Sequence, residues 1–197
     1  MGRYGPMTRI IAGRGKGRRL KTPRGLETRP TAARLRQSLF DILAPVLPGC
    51  RFLDAFAGSG AIGLEALSRG AARVVLVDVS APAVAAIREN LAALAAAGGD
   101  VQVIRQDARL ALAALADSGV RFDVIYLDPP YDSALYEEVL DVVSTMGLLQ
   151  AGGMAVAEHF HKRGLPETIG RLARTRSVRV GDHRLTFYRV QESAIER

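Results

Sequence analysis

From Cys50 onward, short apolar blocks alternate with longer amphipathic ones. Five blocks are rich in β-branched and aromatic residues: Arg51 to Phe56, Arg73 to Asp78, Val101 to Ile104, Phe122 to Asp128 and Gly153 to Glu158. Bounded by glycine or polar turns, they predict strands. Between them, apolar residues recur with helical spacing from about Ala61 to Arg69, 81 to 97, Ala108 to Asp117 and Ser133 to Met146. The helix ends are marked as well. Gly70 stops the first, Ser80 and Pro82 open the second as N-cap and first-turn proline, and Gly98-Gly99 close it.

Strand and helix alternating at this spacing predict a parallel sheet covered by helices on both faces. The rhythm breaks near the end, where Arg174 to Val180 and Leu185 to Val190 flank Gly181-Asp-His183 as a hairpin. The expected fold class is α/β: a doubly wound, mostly parallel, seven-stranded sheet with a C-terminal antiparallel hairpin. Before it, Arg9 to Gly13 and Gly17 to Lys21 form a second, small hairpin, and Pro30-Thr31 open a helix to about Leu43. Leu35, Leu39, Ile42 and Leu43 share one face of that helix. The chain divides into an N-terminal arm, residues 1–44, and a larger domain, residues 45–197.

Charge sharpens this division. Residues 1–40 hold eleven of the 27 basic residues and one acid, Glu27, whereas the rest carries 16 basic against 19 acidic residues. A basic arm on a slightly acidic body suits a catalytic domain brought to a polyanion. Arg14, Lys16, Arg18, Arg19, Arg29, Arg34 and Arg36 are the candidate contacts to that polyanion. Ile10, Ile11, Leu20 and Leu26 recur among these charges, so the arm is expected to fold rather than trail as a solvated tail. No stretch approaches eighteen uncharged apolar residues, and Met1 to Arg14 contain no apolar signal core. The single cysteine, Cys50, can form neither an internal disulfide nor a cysteine-rich zinc cluster. A cytoplasmic location follows as the expectation.

In an open parallel sheet, ligands bind beyond the carboxyl ends of the strands, and three features fall there. The first is Asp54-Ala-Phe-Ala57-Gly58-Ser59-Gly60-Ala-Ile-Gly63, whose glycines let backbone approach a ligand ahead of a helix N-terminus. This loop suits a nicotinamide dinucleotide as well as S-adenosylmethionine. The second is Asp78, twenty residues after Gly58, placed to accept the ribose hydroxyls of an adenosine-containing cofactor. Asp107 ends the third strand and either contacts the adenine amine or caps the helix that starts at Ala108.

The third feature separates the cofactors. Asp128-Pro-Pro-Tyr131 ends the fourth strand, and hydride transfer has no use for it. An exocyclic base amine, whose lone pair is delocalised into the ring, needs acceptors that pull it toward sp³ geometry. The Asp128 carboxylate and the Pro129 carbonyl are such acceptors, the prolines rigidify the turn, and Tyr131 offers a ring for stacking.

These motifs, with Arg9-Ile-Ile-Ala-Gly, Gly17-Arg-Arg-Leu, Arg29-Pro-Thr31, Arg34-x-Arg36, Ser38-Leu-Phe40 and Phe56 through Gly70, resemble the RsmD-type family over nearly the whole chain. That family comprises class I, Rossmann-like, S-adenosylmethionine-dependent 16S rRNA guanine-N2 methyltransferases. The resemblance implies a cofactor site of Thr31, Asp54, Ala57, Gly58, Ser59, Gly60, Asp78, Asp107, Ala108 and Asp128, with Asp128, Pro129 and Tyr131 catalytic. It implies a monomer acting on 16S rRNA within a partly assembled 30S particle, with no membrane partner. Gln37 and Asp41 depart from the family, which carries glutamate and commonly asparagine there. The alternative activity is DNA adenine-N6 methylation, which normally needs a target-recognition insertion that this chain has no room for. No metal is expected: His159 and His161 share an i, i+2 spacing but lack a third ligand. Glu158 either touches substrate or pairs with the basic arm.

Overall fold

The central sheet explains where every predicted strand end lies. In the computed structural model, which describes residues 8–23, 30–94, 98–130 and 134–191, five strands run parallel. They are β3 (Arg51–Asp54), β4 (Arg73–Asp78), β5 (Asp100–Arg105), β6 (Phe122–Leu127) and β7 (Leu149–Phe160). Three antiparallel strands extend the sheet: β8 (Thr168–Ile169), β9 (Leu172–Val180) and β10 (His183–Val190). The order is β5-β4-β3-β6-β7-β10-β9-β8. Seven strands match the expectation, and the two-residue β8 adds an eighth at the edge.

Helices cover both faces. On one lie α1 (Pro30–Leu43), α2 (Ala61–Ser68) and α3 (Ala81–Ala93), and on the other α4 (Ala108–Asp117) and α5 (Leu135–Thr145). Alternate residues of each strand feed opposite cores, as the two-residue period of a strand requires. Phe52, Val74, Leu76, Tyr126 and Val156 pack toward the first face, where Phe40 stacks on Phe52 at 6.5 Å between centroids. Leu53, Val75, Val77, Ile125 and Leu127 pack toward the second.

The predicted caps operate as read. Ser80 Oγ accepts from the Ala83 amide at 3.4 Å, and Asp107 accepts from the Arg109 amide at 3.0 Å. Most boundaries fall within two residues of the expectation, and two strand boundaries bear on the site. The first strand stops at Asp54 because the chain turns at Ala55 and Phe56, although the Ala55 amide still donates to the Tyr126 carbonyl of β6. The fifth begins earlier, at Leu149, and its register against β6 shifts between Phe122 and Val124.

The basic arm is part of the first core. Strands β1 (Thr8–Arg9) and β2 (Arg19–Leu20) form the small hairpin, and Ile10 and Leu20 are buried in the same cluster as Leu64 and Phe52. Burying two such side chains stabilises the docking by roughly 1.5–3 kcal/mol each. The contact is polar too. Glu65, fully buried on α2, accepts the Ile11 and Ala12 amides at 2.7 and 3.0 Å and the Arg69 guanidinium at 2.7 Å. Ser68 Oγ accepts from the Gly15 amide and donates to the Ala12 carbonyl.

Candidate active site

Asp54, at the end of β3, begins the glycine loop. The Ala57 amide donates to Val77 at 2.8 Å and the Gly60 amide to Ala57 at 2.6 Å, which turns the chain into α2. Gly60 adopts φ 78°, in the left-handed region that disfavours side chains, and a Cβ there would press within 3.2 Å of Ile87 and Leu64. No side chain caps α2 at Gly60. Asp54 takes that place from the strand instead: its Oδ2 accepts the Gly63 amide at 3.2 Å, setting a carboxylate at the positive helix end.

Asp54 is buried, and its Oδ1 has no partner of hydrogen-bond geometry among the described residues. Burial pushes its pKa up to about 7; the Gly63 and Phe56 amides oppose that shift, and the Asp78 and Glu158 charges add to it. A buried acceptor without a donor is costly, so this oxygen suits a donor that arrives with a ligand.

Asp78 ends β4 and grips the loop from the other side. Its Oδ2 accepts the Gly58 amide at 2.7 Å, and its Oδ1 accepts the Ser80 amide at 2.8 Å. The side chain is half-buried and keeps acceptor capacity on both oxygens. Ser59 is tied down through its carbonyl, which accepts from Asn90 Nδ2 at 2.9 Å. The same Nδ2 donates to the Lys21 carbonyl, and Asn90 Oδ1 accepts the Lys21 amide at 2.7 Å. One buried asparagine thus links the cofactor-type loop, α3 and the basic arm.

Asp128 follows β6 directly. It is solvent-exposed while Pro129 beside it is buried. Protein nevertheless surrounds the Asp128 carboxyl closely, and that crowding, then the Glu158 and Asp54 charges, raise its pKa well above the usual carboxylate range. Behind it, the Tyr126 hydroxyl donates to Glu158 Oε2, and Glu158 Oε1 lies 3.0 Å from His183 Nδ1. Tyr136 donates to the Glu158 backbone carbonyl at 2.8 Å. Among the described residues, Glu158 therefore pairs with Tyr126 and His183.

Asp54, Gly58, Asp78 and Asp128 are brought together along neighbouring strand ends. Asp107 lies farther out as the cap of α4, with Ala108 buried behind it. Both Asp107 oxygens are held by Arg109, which also reaches Glu138 at 2.7 Å. That bonding lowers the Asp107 pKa. Arg14, Lys16, Arg18, Arg19 and Arg34 are exposed. Arg36 corrects the reading of the arm: it is buried, and its Nη2 donates to the Arg9 carbonyl at 2.8 Å, so its charge is spent inside the fold. Arg29 and Tyr131 lie outside the described residues, and Thr31 is described only as part of the α1 backbone.

Gln37 and Asp41, the two departures from the family pattern, are bonded to each other, Nε2 to Oδ1 at 2.6 Å. The histidines are occupied locally, His159 Nε2 with Thr186 at 2.8 Å and His161 Nδ1 with the Asp182 carbonyl at 2.9 Å. Sequence reasoning missed Glu65, Ser68 and Asn90. Glu65 did leave a signal, a carboxylate inside the apolar run Leu64 to Leu67.

This sheet order, with an acid at each of three adjacent parallel strand ends, defines the doubly wound class of methyltransferase folds. The magnesium protoporphyrin IX methyltransferase of Synechocystis PCC 6803, solved with bound S-adenosylmethionine, has a similar fold, at TM-score 0.61 and 17% identity, over 84% of this chain and 86% of that one. Residues 8–189 match the family described as Conserved hypothetical protein 95, the RsmD-type family, and the chain belongs to it. Ribosomal RNA small subunit methyltransferase D of Escherichia coli (strain K12) is 38% identical over 158 residues, 80% of this chain and 77% of that protein. A hypothetical protein of Thermus thermophilus superposes at TM-score 0.77 with 35% identity, over 91% of this chain and 98% of its own.

Proposed function

We propose that this protein is a methyltransferase that moves the methyl group of S-adenosylmethionine to the exocyclic N2 amine of a guanine in 16S rRNA. It acts in the cytoplasm, as a monomer, on a partly assembled small subunit. The observation that carries the reading is the commitment of the glycine loop. In a dinucleotide site the loop amides face a pyrophosphate. Here the Gly58 amide is given to Asp78, and the Asp78, Asp54 and Asp128 carboxyls stand at three adjacent strand ends. That concentration of carboxyls repels an anionic dinucleotide and suits a cation.

The residues fit such a cofactor. Asp78 would take its ribose hydroxyls, and Asp54 Oδ1 would accept from a donor on its amino-acid end. Thr31 in α1, Ala57 to Gly60 and Ala108 at the start of α4 complete the set that the family resemblance implies. When bound, S-adenosylmethionine supplies an electrophilic methyl on a sulfonium cation. The protein's own work lies with the acceptor amine. Asp128 and the Pro129 carbonyl each accept one of its N–H groups, turn its lone pair outward and balance its developing positive charge. A neighbouring cation also offsets the crowding that holds the Asp128 pKa high, keeping the carboxylate ionised for this task. Tyr131 supplies the face on which the guanine stacks.

Tritium transfer from labelled S-adenosylmethionine to naked 16S rRNA and to assembling 30S particles tests the reading directly. Label in guanine-N2 is the expected result; no transfer to either substrate, or tight binding of NADH, would overturn it.

The Asp54 pKa gives a pH signature. Binding a cation beside Asp54 requires its ionised form, so S-adenosylmethionine affinity should rise between pH 6 and pH 8, about the value of 7. In the free protein the sign is opposite. The folded state holds this proton more tightly than the unfolded chain, so Asp54 adds stability at low pH that is lost as pH rises from about 4 to about 7. Calorimetric titration with S-adenosylmethionine between about pH 6 and about pH 8 should show the rise in affinity in wild type and a flat profile in Asp54→Asn.

Arg18 and Arg19, exposed beside β2, should supply affinity without sequence information. Each phosphate contact on a single strand contributes a salt slope of about −0.7, so Arg18→Ala/Arg19→Ala should flatten the RNA-binding slope by about 1.4. Cofactor affinity should not change. A slope equal to wild type would reduce these arginines to a solubility role.

A further inference from the structure

A second basic face lies at the other end of the sheet, where charge along the sequence drew no attention. Residues 161–191 hold eight arginines or lysines and two acids. Arg163 and Arg174 are paired with Glu137 and Glu167. Lys162, Arg176 and Arg179 are exposed and have no acidic partner among the described residues; Arg179 donates to the Gly181 carbonyl. A charged outer strand by itself guards a sheet against unwanted strand addition. It does not require an exposed aromatic ring at the rim, and this one has it.

Phe160, the last residue of β7, is 37% exposed. Its ring lies 4.8 Å from that of His161 and 6.5 Å, edge to face, from that of His183. Phe160 pairs with His183 across β7 and β10, and Glu158 pairs with Leu185 two residues earlier. The Phe160 ring therefore stands on the same face as Glu158, whose carboxylate holds Tyr126 behind Asp128. Strand β7 is the neighbour of β6, about 4.8 Å away, so this rim adjoins the place where the acceptor amine must sit. The platform is braced from below: the His161 amide donates to the Asp182 carbonyl at 2.8 Å, fixing the hairpin turn against the end of β7.

We propose that Phe160, flanked by His161 and His183, is a stacking platform for an RNA base adjoining the methylated guanine, with Lys162 and Arg176, the latter on the same sheet face as Phe160, taking nearby phosphates. This rests on the RNA-methyltransferase reading above. The platform grips RNA by π-face and charge, which tolerates any base, and it lies across Asp128 from the cofactor loop. RNA would then be held on both sides of the reacting amine, by the arm and by the hairpin.

The chain contains no tryptophan, which makes Phe160→Trp a reporter without background. An oligoribonucleotide should quench its fluorescence on binding, whereas heparin, a polyanion without bases, should not. Phe160→Ala should raise the KM for the RNA substrate about tenfold with a smaller effect on kcat, leave S-adenosylmethionine affinity unchanged, and be rescued by Phe160→Tyr. Equal quenching by heparin and RNA, or no quenching by RNA, would overturn the platform. So would an unchanged KM in Phe160→Ala when wild type methylates rRNA. If wild type transfers no label to rRNA, the methyltransferase reading fails, and the quenching experiment still judges the platform independently.

Discussion

Asp128→Ala is expected to fold, bind S-adenosylmethionine nearly as well as wild type, and methylate RNA at least a hundredfold more slowly. A preorganised acceptor aimed at developing charge is worth about 2.7–4 kcal/mol, on the order of 10²–10³ in rate. The structure makes the loss specific to turnover. Asp128 follows the end of β6 and belongs to neither apolar core, so its removal leaves the packing of both intact. It also relieves the crowding of acids with Asp54 and Glu158, which favours the free fold. Asp128→Asn keeps an acceptor oxygen but loses the charge, and should retain part of the activity. Single-turnover rates measure both. Near-normal turnover in Asp128→Ala would make the Asp-Pro-Pro turn structural and move the reaction elsewhere.

Asp78→Ala should weaken S-adenosylmethionine binding at least tenfold, the largest loss from any single acid of the cofactor loop. A ribose pair without its acceptor costs about 1–3 kcal/mol. The Gly58 and Ser80 amides add to this, because both lose the carboxylate that shapes the loop around them. Asp78→Asn separates the two contributions. Its amide has one acceptor oxygen, so it can hold the loop or serve the ribose fully, not both. Calorimetry should place it between wild type and Asp78→Ala, with NADH binding to none of the three. An Asp78→Ala protein that binds the cofactor normally would exclude the ribose role.

The parallel sheet was legible because its strands are buried on both faces and read as unbroken apolar runs, with caps such as Ser80 marking where helices begin. The acids at strand ends were legible for the related reason that a carboxylate closing such a run has nowhere to go but the ligand side. What escaped was long-range polar pairing. Nothing local in the chain says that Asn90 bonds to Lys21, sixty-nine positions away, or that Glu65 is satisfied by amides of the arm. Arg36 failed for the same reason: a charge count treats each arginine as surface, and burial against the Arg9 carbonyl is a tertiary fact. The second basic face was hidden by averaging. Acids elsewhere in the body cancel its arginines in the total, and only the strand register shows that Arg176 shares a sheet face with Phe160.

The Asn90 tether bears on how this protein can be taken apart. A basic extension that merely carried a catalytic body to its substrate could be shaved off, swapped or moved to another enzyme like an affinity tag. Here the strap from Ile10 to Lys21 closes over α2, supplies two residues of the inner packing and shares one asparagine with the loop that turns into that helix. Cutting the chain ahead of α1 would strip Glu65 of its two backbone donors from the arm, leave Asn90 without Lys21 and open the first core to water. The smallest autonomous unit therefore begins at the hairpin, and grafting the anchor onto a foreign scaffold would transplant its charge without its shape.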